Sequence, residues 1–264
     1  MTQQVRLGGM ALANGVLVHG PRHWACAVRT EANELKLASG LKPLRSADIA
    51  SPFLRGPARI AEVFALLPVI RRDLPQARLP FERPNVGAAM LASALAARAL
   101  RRTGLRSLVQ ELLAAGVSLV PVALVLRGSS LAAYHGAEHI SIGSYEHGEP
   151  RTREHERCGS HLVGPLLLTS AAGSTLARLA PPLFRPAARV TAVVGSLAAA
   201  VEVFGWMQAN QGHPLARLLR RPGAELQRRF VTAEPTAAQL EVAESALSEC
   251  LRLEGGARER SFAL

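Results

Sequence analysis

The sequence predicts a mainly α-helical protein: an apolar helical bundle inserted in a membrane, with a small N-terminal β-hairpin or sheet and a C-terminal soluble helix. Three observations lead to this prediction. Four long segments in the middle of the chain are rich in Ala and Leu, short apolar runs separated by turn residues fill the N-terminus, and the tail is basic and amphipathic. They divide the chain into a β-rich and Pro-rich region at 1–83, an apolar helical region at 84–207 and a helical tail at 208–264.

Composition and charge narrow the class of protein. Hydrophobic residues make up 48% of the 264 residues and charged residues only 19%, below the roughly 25% of an average soluble domain. The net charge of +11 comes almost entirely from Arg, which is spread along the chain without a dense basic block or interleaved aromatic residues. A basic chain can bind nucleic acid or an anionic membrane surface. Because the arginines form no concentrated patch, we expect membrane lipids as partners and no specific nucleic acid.

The N-terminal region is predicted to contain a small sheet followed by one helix. Apolar runs within residues 5–40 are short and are separated by Gly, Pro and Asn, which is typical of strands and turns. The runs are Met10–His19, Trp24–Arg29 and Glu34–Ala38. Residues 41–83 are rich in proline, and between the prolines Ala58–Ile70 is amphipathic enough for a helix that ends at Arg71 and Arg72.

Four apolar segments are predicted to be the helices of the bundle. They are Asn85–Ala97, Leu108–Leu126, Leu162–Ala177 and Val190–Met207. A helix needs about 20 mostly apolar residues to cross a membrane, and Leu108–Leu126 comes nearest to that length. The alternative is a soluble bundle in which these helices are central. Arg-rich loops flank the segments on both sides, so the charge of the loops assigns no membrane orientation.

The tail is predicted to combine surface helices with one packed helix. His213–Arg221 and Ala224–Arg229 are basic and amphipathic, and Pro222 with Gly223 is predicted to separate them into two helices. Such helices suit an anionic membrane surface. Thr236–Leu251 repeats apolar residues at helical spacing, with Thr236 itself as the N-cap.

The chemistry is predicted to lie between residues 134 and 161, where five of the eight histidines occur. His135 and His139 are four residues apart, so on a helix they point from one face and can bind one divalent ion. Glu138 shares that face and could take a proton from a metal-bound water. The pattern His-x-x-Glu-His is the inverted form of the zincin motif.

A second pair of ligands is predicted to follow the first. His155 and Cys158 are three residues apart and would share a face of a second helix, which a turn at 143–150 would fold back against the first helix. Glu146 could replace either of them. The expected cofactor is therefore a divalent metal, with zinc as the expected ion. Four protein ligands would make a structural site, whereas three ligands and a water would make a catalytic one. A polar helical hairpin without metal is the alternative.

Four stretches of the chain resemble the YqhQ-like proteins, a bacterial and plastid family of unknown function. The stretches are Gly8-Gly9 to Pro21, Pro52–Gly56, Ala133–His139 with Tyr145-Glu146 and His155–Gly159, and His213 to Ala243. They occur in the same order as in the family and cover nearly the whole chain. The resemblance implies a multi-pass membrane protein, and it is consistent with a metal-dependent enzyme.

The resemblance also implies which residues matter and where this chain departs from the family. The motif residues are Tyr134, His135, Glu138, His139, Glu146, His155, Arg157 and Cys158. The family usually has Glu and Arg in the N-terminal motif, where this chain has Asn14 and His19. If those two groups take part in chemistry in the family, this chain lacks them.

The functional prediction is a membrane-associated, metal-dependent enzyme of hydrolase type, located in the cell membrane, with Glu138 as general base. The alternative prediction is a non-enzymatic membrane scaffold or assembly protein. In that protein the segment 134–161 would be a structural metal site or a polar helical hairpin. The sequence does not identify the substrate or a protein partner.

Overall fold

A computed structural model describes residues 4–45, 49, 51–82, 84–103 and 107–261. In chain order the strands are β1 (Gly8–Leu12), β2 (Gly15–His19), β3 (His23–Arg29) and β4 (Leu35–Leu41). The helices are α1 (Pro52–Asp73), α2 (Pro84–Leu100), α3 (Ser107–Leu126), α4 (Ser130–His147), α5 (Val163–Leu179), α6 (Arg185–Ala209), α7 (Pro214–Leu226) and α8 (Ala237–Ser261). The predicted fold class, mainly α with a small N-terminal sheet, is confirmed.

The sheet is an antiparallel meander in the order β1-β2-β3-β4. The predicted run Met10–His19 is divided between β1 and β2 by a two-residue turn at Ala13 and Asn14. The Asn14 side chain holds this turn, because its Nδ2 donates to the carbonyls of Arg29 and Gln76. Asn14 is therefore a structural residue of the hairpin.

Both faces of the sheet are covered, because successive side chains of a strand point to opposite faces. Val16 and Val18 face a core formed with α4 and α8, which contribute residues such as Ala137 and Val242. Leu17 faces a second core, formed with the end of α1 and the segment 74–79. The sheet is thus fixed between helices from distant parts of the chain.

α8 lies along the sheet and confirms the helix predicted at Thr236–Leu251, although it extends to Ser261. Its buried residues recur at helical spacing: Val242, Ala243, Ala246, Leu247 and Cys250. At its buried end, Glu254 accepts the backbone N–H groups of Arg22 (2.8 Å) and His23 (2.7 Å). α8 therefore fixes the turn between β2 and β3.

The four apolar segments form α2, α3, α5 and α6, as predicted. Three described segments are long and apolar enough to cross a membrane, and only 22–24% of each is buried. They are Val109–Leu126, Gly159–Leu179 and Pro182–Ala209, with mean hydropathies of 2.0, 1.2 and 1.7. Their exposed faces carry large apolar side chains, including Leu124, Leu176 and Val193.

The prediction of two helices separated at Pro222 and Gly223 is wrong. α7 runs through Pro222 without a break, and a short π-helical turn, Gln227–Val231, follows it. The reason is packing: a Cβ atom on Gly223 would lie 2.6 Å from the Cα of His161 and from the carbonyl oxygen of Ser160. Gly223 is thus the point at which α7 approaches the start of α5, and it does not end the helix.

Candidate metal centre

α4 carries the first group of predicted site residues and is buried along most of its length. It begins at the Ser129 cap, whose Oγ accepts the N–H of Ala132, and it ends at Gly148 in the left-handed conformation (φ 71°). Gly136 lets the helix touch the chain that follows α7, since a Cβ atom there would lie 2.1 Å from the carbonyl oxygen of Ala233. This approach brings carbonyl groups of that segment within reach of the site.

Three potential ligands converge beside α4: His135, His139 and Cys158. Their ligand atoms all lie within 4.8 Å of one another, and Cys158 Sγ is 3.5 Å from His135 Nε2. The two imidazole rings are adjacent, with centroids 4.3 Å apart. The predicted His135 and His139 pair and one member of the predicted second pair are therefore brought together.

The outer nitrogens of both histidines fix the rings in an orientation suited to metal binding. His135 Nδ1 lies 2.9 Å from the carbonyl oxygen of Val231, and His139 Nδ1 lies 2.7 Å from that of Arg153. A carbonyl oxygen can only accept, so each Nδ1 carries a proton, and in the neutral ring the Nε2 keeps a free lone pair. Metal-binding histidines usually have such a partner for the second nitrogen. Burial lowers the pKa of His139, which favours the neutral ring that binds metal.

Cys158 lies on a loop. The prediction that a second helix carries Cys158 and His155 was therefore wrong. Cys158 caps the 3₁₀ turn Gly159–Leu162, and its Sγ accepts the N–H of Ser160 at 3.4 Å. The loop is held from a distance by the buried Gln227. Gln227 Oε1 accepts the N–H of His155 at 2.9 Å, and its Nε2 donates to the His155 carbonyl at 3.2 Å.

His155 and Glu146, the other predicted ligands, pair with each other instead of joining the three-residue group. His155 Nε2 is 3.0 Å from Glu146 Oε2, and an Arg157 nitrogen is 2.7 Å from Glu146 Oε1. Burial acts to raise the pKa of Glu146, but the hydrogen bond from His155 and the charge of Arg157 outweigh it, so that pKa is lowered. The His155 ring is still a neighbour of the group, with its centroid 5.4 Å from that of His139.

Glu138 is buried next to the ligand group and faces the first strand. Its Oε2 is 3.9 Å from His135 Nε2. Burial raises the pKa of its carboxyl, with the nearby His135 and His155 acting in the opposite direction. A Cβ atom on Gly9 of β1 would lie 2.4 Å from Glu138 Oε1, so a larger residue at this position in the strand would have to displace the Glu138 side chain.

A cavity of about 510 Å³ contains the ligand group and Glu138. One wall is β1 with the residue before it, and the opposite wall is α4. Leu126 at the end of α3 and Gly159 just before α5 also line it, so the cavity lies at one end of the apolar helices. A metal ion held by the three ligands would therefore have an open side.

Asn14 and His19 stand where the resemblance leads us to expect Glu and Arg, and one of the two lines the cavity. Asn14 holds the β1–β2 turn and does not line the cavity, whereas His19 does. Burial lowers the pKa of His19 to about 4; Lys42 acts in the same direction, and Glu62 opposes it. Lys42 and Glu62 form a buried ion pair. His19 is consequently neutral at neutral pH.

The remaining motif residues are placed as follows. Tyr134 packs in the core between α4, α8 and the sheet. Arg157 lines the cavity and pairs with Glu146. The motif Pro52–Gly56 forms the start of α1, and apart from Leu54 its side chains lie outside the described part of the chain. Sequence reasoning did not identify Gly9 as a site residue; the only signal was its place in the N-terminal motif.

Comparisons with known proteins agree with the resemblance. A family model described as "Protein of unknown function (DUF1385)" matches residues 79–253, which include all three ligands. The uncharacterized protein YqhQ of Bacillus subtilis (strain 168) is 37% identical over 132 residues. That alignment covers 46% of this chain and 40% of the relative, so the chain spans less than half the length of the protein it matches. No solved structure was found to match the chain.

Proposed function

We propose that this chain, which belongs to the DUF1385, YqhQ-like family of proteins of unknown function, is a metal-dependent hydrolase embedded in a membrane. The observation that carries the proposal is the group of His135, His139 and Cys158 at the wall of a cavity, with Glu138 beside it. Two imidazole nitrogens and a thiolate are a ligand set that zinc prefers. The described part of the chain contributes three ligands to the group, so a bound ion would have a fourth position open to the cavity.

The ligand geometry supports a site of catalytic type. A zinc ion bound here would lower the pKa of a water molecule and polarise a carbonyl or phosphoryl oxygen. His135 and His139 are already held by carbonyl groups in the tautomer that binds, so little rearrangement is needed. Glu138 lies close enough to accept a proton from that water and transfer it to the leaving group.

The surface of the apolar helices supports insertion in a membrane. Large apolar patches are rare on soluble monomers, yet α3, α5 and α6 are exposed along most of their length. α7 adds a basic helix with exposed Leu215 and Leu218, the composition of a helix that lies in a membrane interface. Both features support a cavity near a membrane surface, since it is lined by the ends of two of these segments.

The test is the metal content of the purified full chain in detergent. We expect about one zinc per chain in the wild type and almost none in His135→Ala/His139→Ala. His147→Ala is the matched control, because His147 lies on the same helix but outside the ligand group. A wild type with as little metal as the double variant would overturn the proposal.

Glu138→Gln separates the hydrolase from the alternative, a scaffold with a structural metal site. A hydrolase should retain zinc in this variant and lose hydrolysis of a panel of ester, amide and phosphoester substrates. A structural site should retain zinc with no change in any function of the protein. Hydrolysis that is equally fast in wild type and Glu138→Gln would remove Glu138 from the mechanism.

A further inference from the structure

We propose that the substrate of this site is an extended polypeptide segment that binds as an additional strand on the free edge of β1. This inference rests on the proposed hydrolase function and deepens it by naming the substrate class. It is based on the hydrogen bonding of the sheet, on the position of its free edge and on the packing of Glu138 against β1.

The pairing of the sheet shows which backbone groups of β1 are free. The N–H of Arg29 donates to the carbonyl of Asn14, and the N–H of Gly20 donates to the carbonyl of His23. These bonds direct every second residue of β2 towards β3, so the alternate residues of β2 pair with Gly8, Met10 and Leu12 of β1. The backbone N–H and C=O groups of Gly9 and Ala11 therefore point away from the sheet.

One end of this edge is already used by the protein itself. The N–H of Ala13, two residues after Ala11, donates to the carbonyl of Arg78 at 2.9 Å, and its carbonyl accepts the hydroxyl of Ser130 at 3.1 Å. Further along the edge, no residue that the structure describes bonds to the outward backbone groups of Gly9 or Ala11. Gly9 is exposed, and both residues line the cavity.

The free edge of β1 also lacks the features that normally prevent strand addition. Proteins protect edge strands with charged residues, especially Lys, or with Pro. β1 has the sequence Gly-Gly-Met-Ala-Leu and carries neither, whereas β4, at the other edge of the sheet, carries Lys36. An unprotected edge that faces a cavity is suited to an added peptide strand, which gains main-chain hydrogen bonds.

An added strand would lie beside the candidate catalytic groups. A Cβ atom on Gly9 would lie 2.4 Å from Glu138 Oε1, so Glu138 lies against the face of β1 at this residue. A strand added at the edge would lie about 4.8 Å from β1. Apolar side chains of the cavity wall offer sites for alternate side chains of a peptide. They include Leu7, Met10, Leu126, Leu131, Ile142 and Val231. The peptide bond to be cleaved would then lie over the ligand group.

The reaction that follows is hydrolysis of an amide and needs no further reactant. The oxygen of one water molecule bonds to the peptide carbonyl carbon, and the carbon–nitrogen bond breaks. Glu138 accepts a proton from the water and transfers it to the leaving nitrogen. The products are a carboxylic acid and an amine, and the remaining proton of the water passes from the acid to the amine to give a carboxylate and an ammonium group.

The first test is a library of peptides from digested membrane proteins, incubated with the zinc-loaded full chain in detergent. We expect specific cleavage that Glu138→Gln abolishes. Binding of zinc without cleavage of any peptide would overturn the polypeptide substrate, and release of fatty acid from phosphatidylglycerol vesicles in its place would assign a lipid. Failure to bind zinc would instead overturn the hydrolase proposal itself.

The second test examines strand addition directly with a cleaved peptide. N-methylation at every second residue, those that face β1, should lower kcat/KM roughly tenfold each, because each change removes one hydrogen bond. N-methylation at the intervening residues should change it less than threefold. An effect without this alternation would overturn binding at the strand edge.

The matching protein variant is Ala11→Pro, which removes the outward N–H of Ala11, a position of the kind that tolerates Pro in an edge strand. It should lower kcat/KM about tenfold with the zinc content unchanged. Ala11→Ser keeps the N–H and is the control. Should Ala11→Pro lose zinc, the N-methylated peptides decide the question with wild-type protein alone.

Discussion

α3 and α4 each bury a carboxylate, and the two carboxylates are surrounded in opposite ways. Glu111, near the start of α3, is 4% exposed, and Glu138, on α4, is 7% exposed. Glu111 has two cationic partners: Arg101 Nε lies 2.9 Å from its Oε2, and a nitrogen of Arg178 lies 2.5 Å from its Oε1. No described residue donates a hydrogen bond to Glu138, whose nearest potential cation is His135 at 3.9 Å.

The comparison separates a structural carboxylate from a functional one. A buried charge is normally paired, because an unpaired one destabilises the fold. The Glu111 cluster meets this expectation at one end of the apolar helices and links α3 to α5. Glu138 does not meet it, and it lies in a cavity beside three potential metal ligands at the other end. Burial raises the pKa of Glu138, and ionisable groups with perturbed pKa values in clefts are concentrated at functional sites.

The largest expected effect is on activity, from Glu138→Gln. If Glu138 is the general base, the change should lower kcat by about 10²- to 10⁴-fold. The thermal midpoint of the metal-free protein should not fall, because the substitution removes a buried carboxylate that has no hydrogen-bond donor. Hydrolysis assays and thermal unfolding check the two parts. A large loss of stability would show that Glu138, like Glu111, is a structural carboxylate.

The next effect is on the pH dependence of stability and concerns His19, which lines the cavity and interacts with Lys42 and Glu62. Its pKa is lowered from 6.5 to about 4, so the unfolded chain binds a proton between these values and the native protein does not. Stability should therefore fall as pH decreases from about 6.5 to about 4, by no more than about 3.4 kcal/mol. His19→Gln should flatten this part of the curve of thermal midpoint against pH, and parallel curves would contradict the assignment.

Glu111→Gln should lower stability while leaving the chemistry unchanged. The variant keeps the size of the side chain but loses its charge-assisted bonds to Arg101 and Arg178, which is expected to cost about 1–3 kcal/mol. Thermal unfolding in detergent measures the loss, and the zinc content of the folded protein should be that of the wild type. A loss of zinc in Glu111→Gln would show that the two ends of the bundle are coupled.

The sequence predicted the local part of the site and not the long-range part. His135 and His139 could be paired from their spacing, because a helix alone places residues four apart on one face. The roles of His155 and Cys158 could not be separated in this way. Their loop is held by Gln227, which is distant in sequence, and this contact leaves Cys158 with the histidines and His155 with Glu146.

The fold shows the same division between local and long-range information. Turn residues predicted the strands, and apolar runs predicted the long helices, since both signals are local. Pro222 and Gly223 were misinterpreted as a break, because the packing of Gly223 against the chain at Ser160 is visible only in the folded protein. For the same reason Gly9 could not be linked to Glu138 before β1 was placed over α4.

The contact of Gly9 with Glu138 gives the next prediction. Gly9→Ala should lower stability by about 1–3 kcal/mol, because the new Cβ atom would overlap Glu138 Oε1. Glu138→Ala shortens the opposing side chain and should rescue most of this loss, giving a favourable coupling in a double-mutant cycle of thermal unfolding. Gly116→Ala is the matched control, since a Cβ atom there meets nothing within 4 Å. If the stability changes of Gly9→Ala and Glu138→Ala are additive, residue 9 and Glu138 are not in contact.

The smallest effect, a difference in thiol reactivity, sharpens the contrast between buried core and open site. All three cysteines are free thiols, and burial raises the pKa of Cys26 and Cys250 to about 12, which keeps them unreactive. Cys158 is only half-buried and lines the cavity. Native wild-type protein without metal should therefore react at one thiol with a maleimide at pH 7, and Cys158→Ser should react at none.

Zinc turns this labelling into a test of the ligand group itself. A thiol that is bound to the ion does not react with the maleimide. Added zinc should therefore slow labelling of Cys158 at least tenfold in the wild type and in the control His147→Ala, but not in His135→Ala. Equal protection in all three proteins would mean that zinc binds the thiol without His135. Protection that depends on His135 would tie Cys158 to the same ion as the α4 histidines, which places Glu138 beside a bound metal and leaves Glu111 as the structural carboxylate.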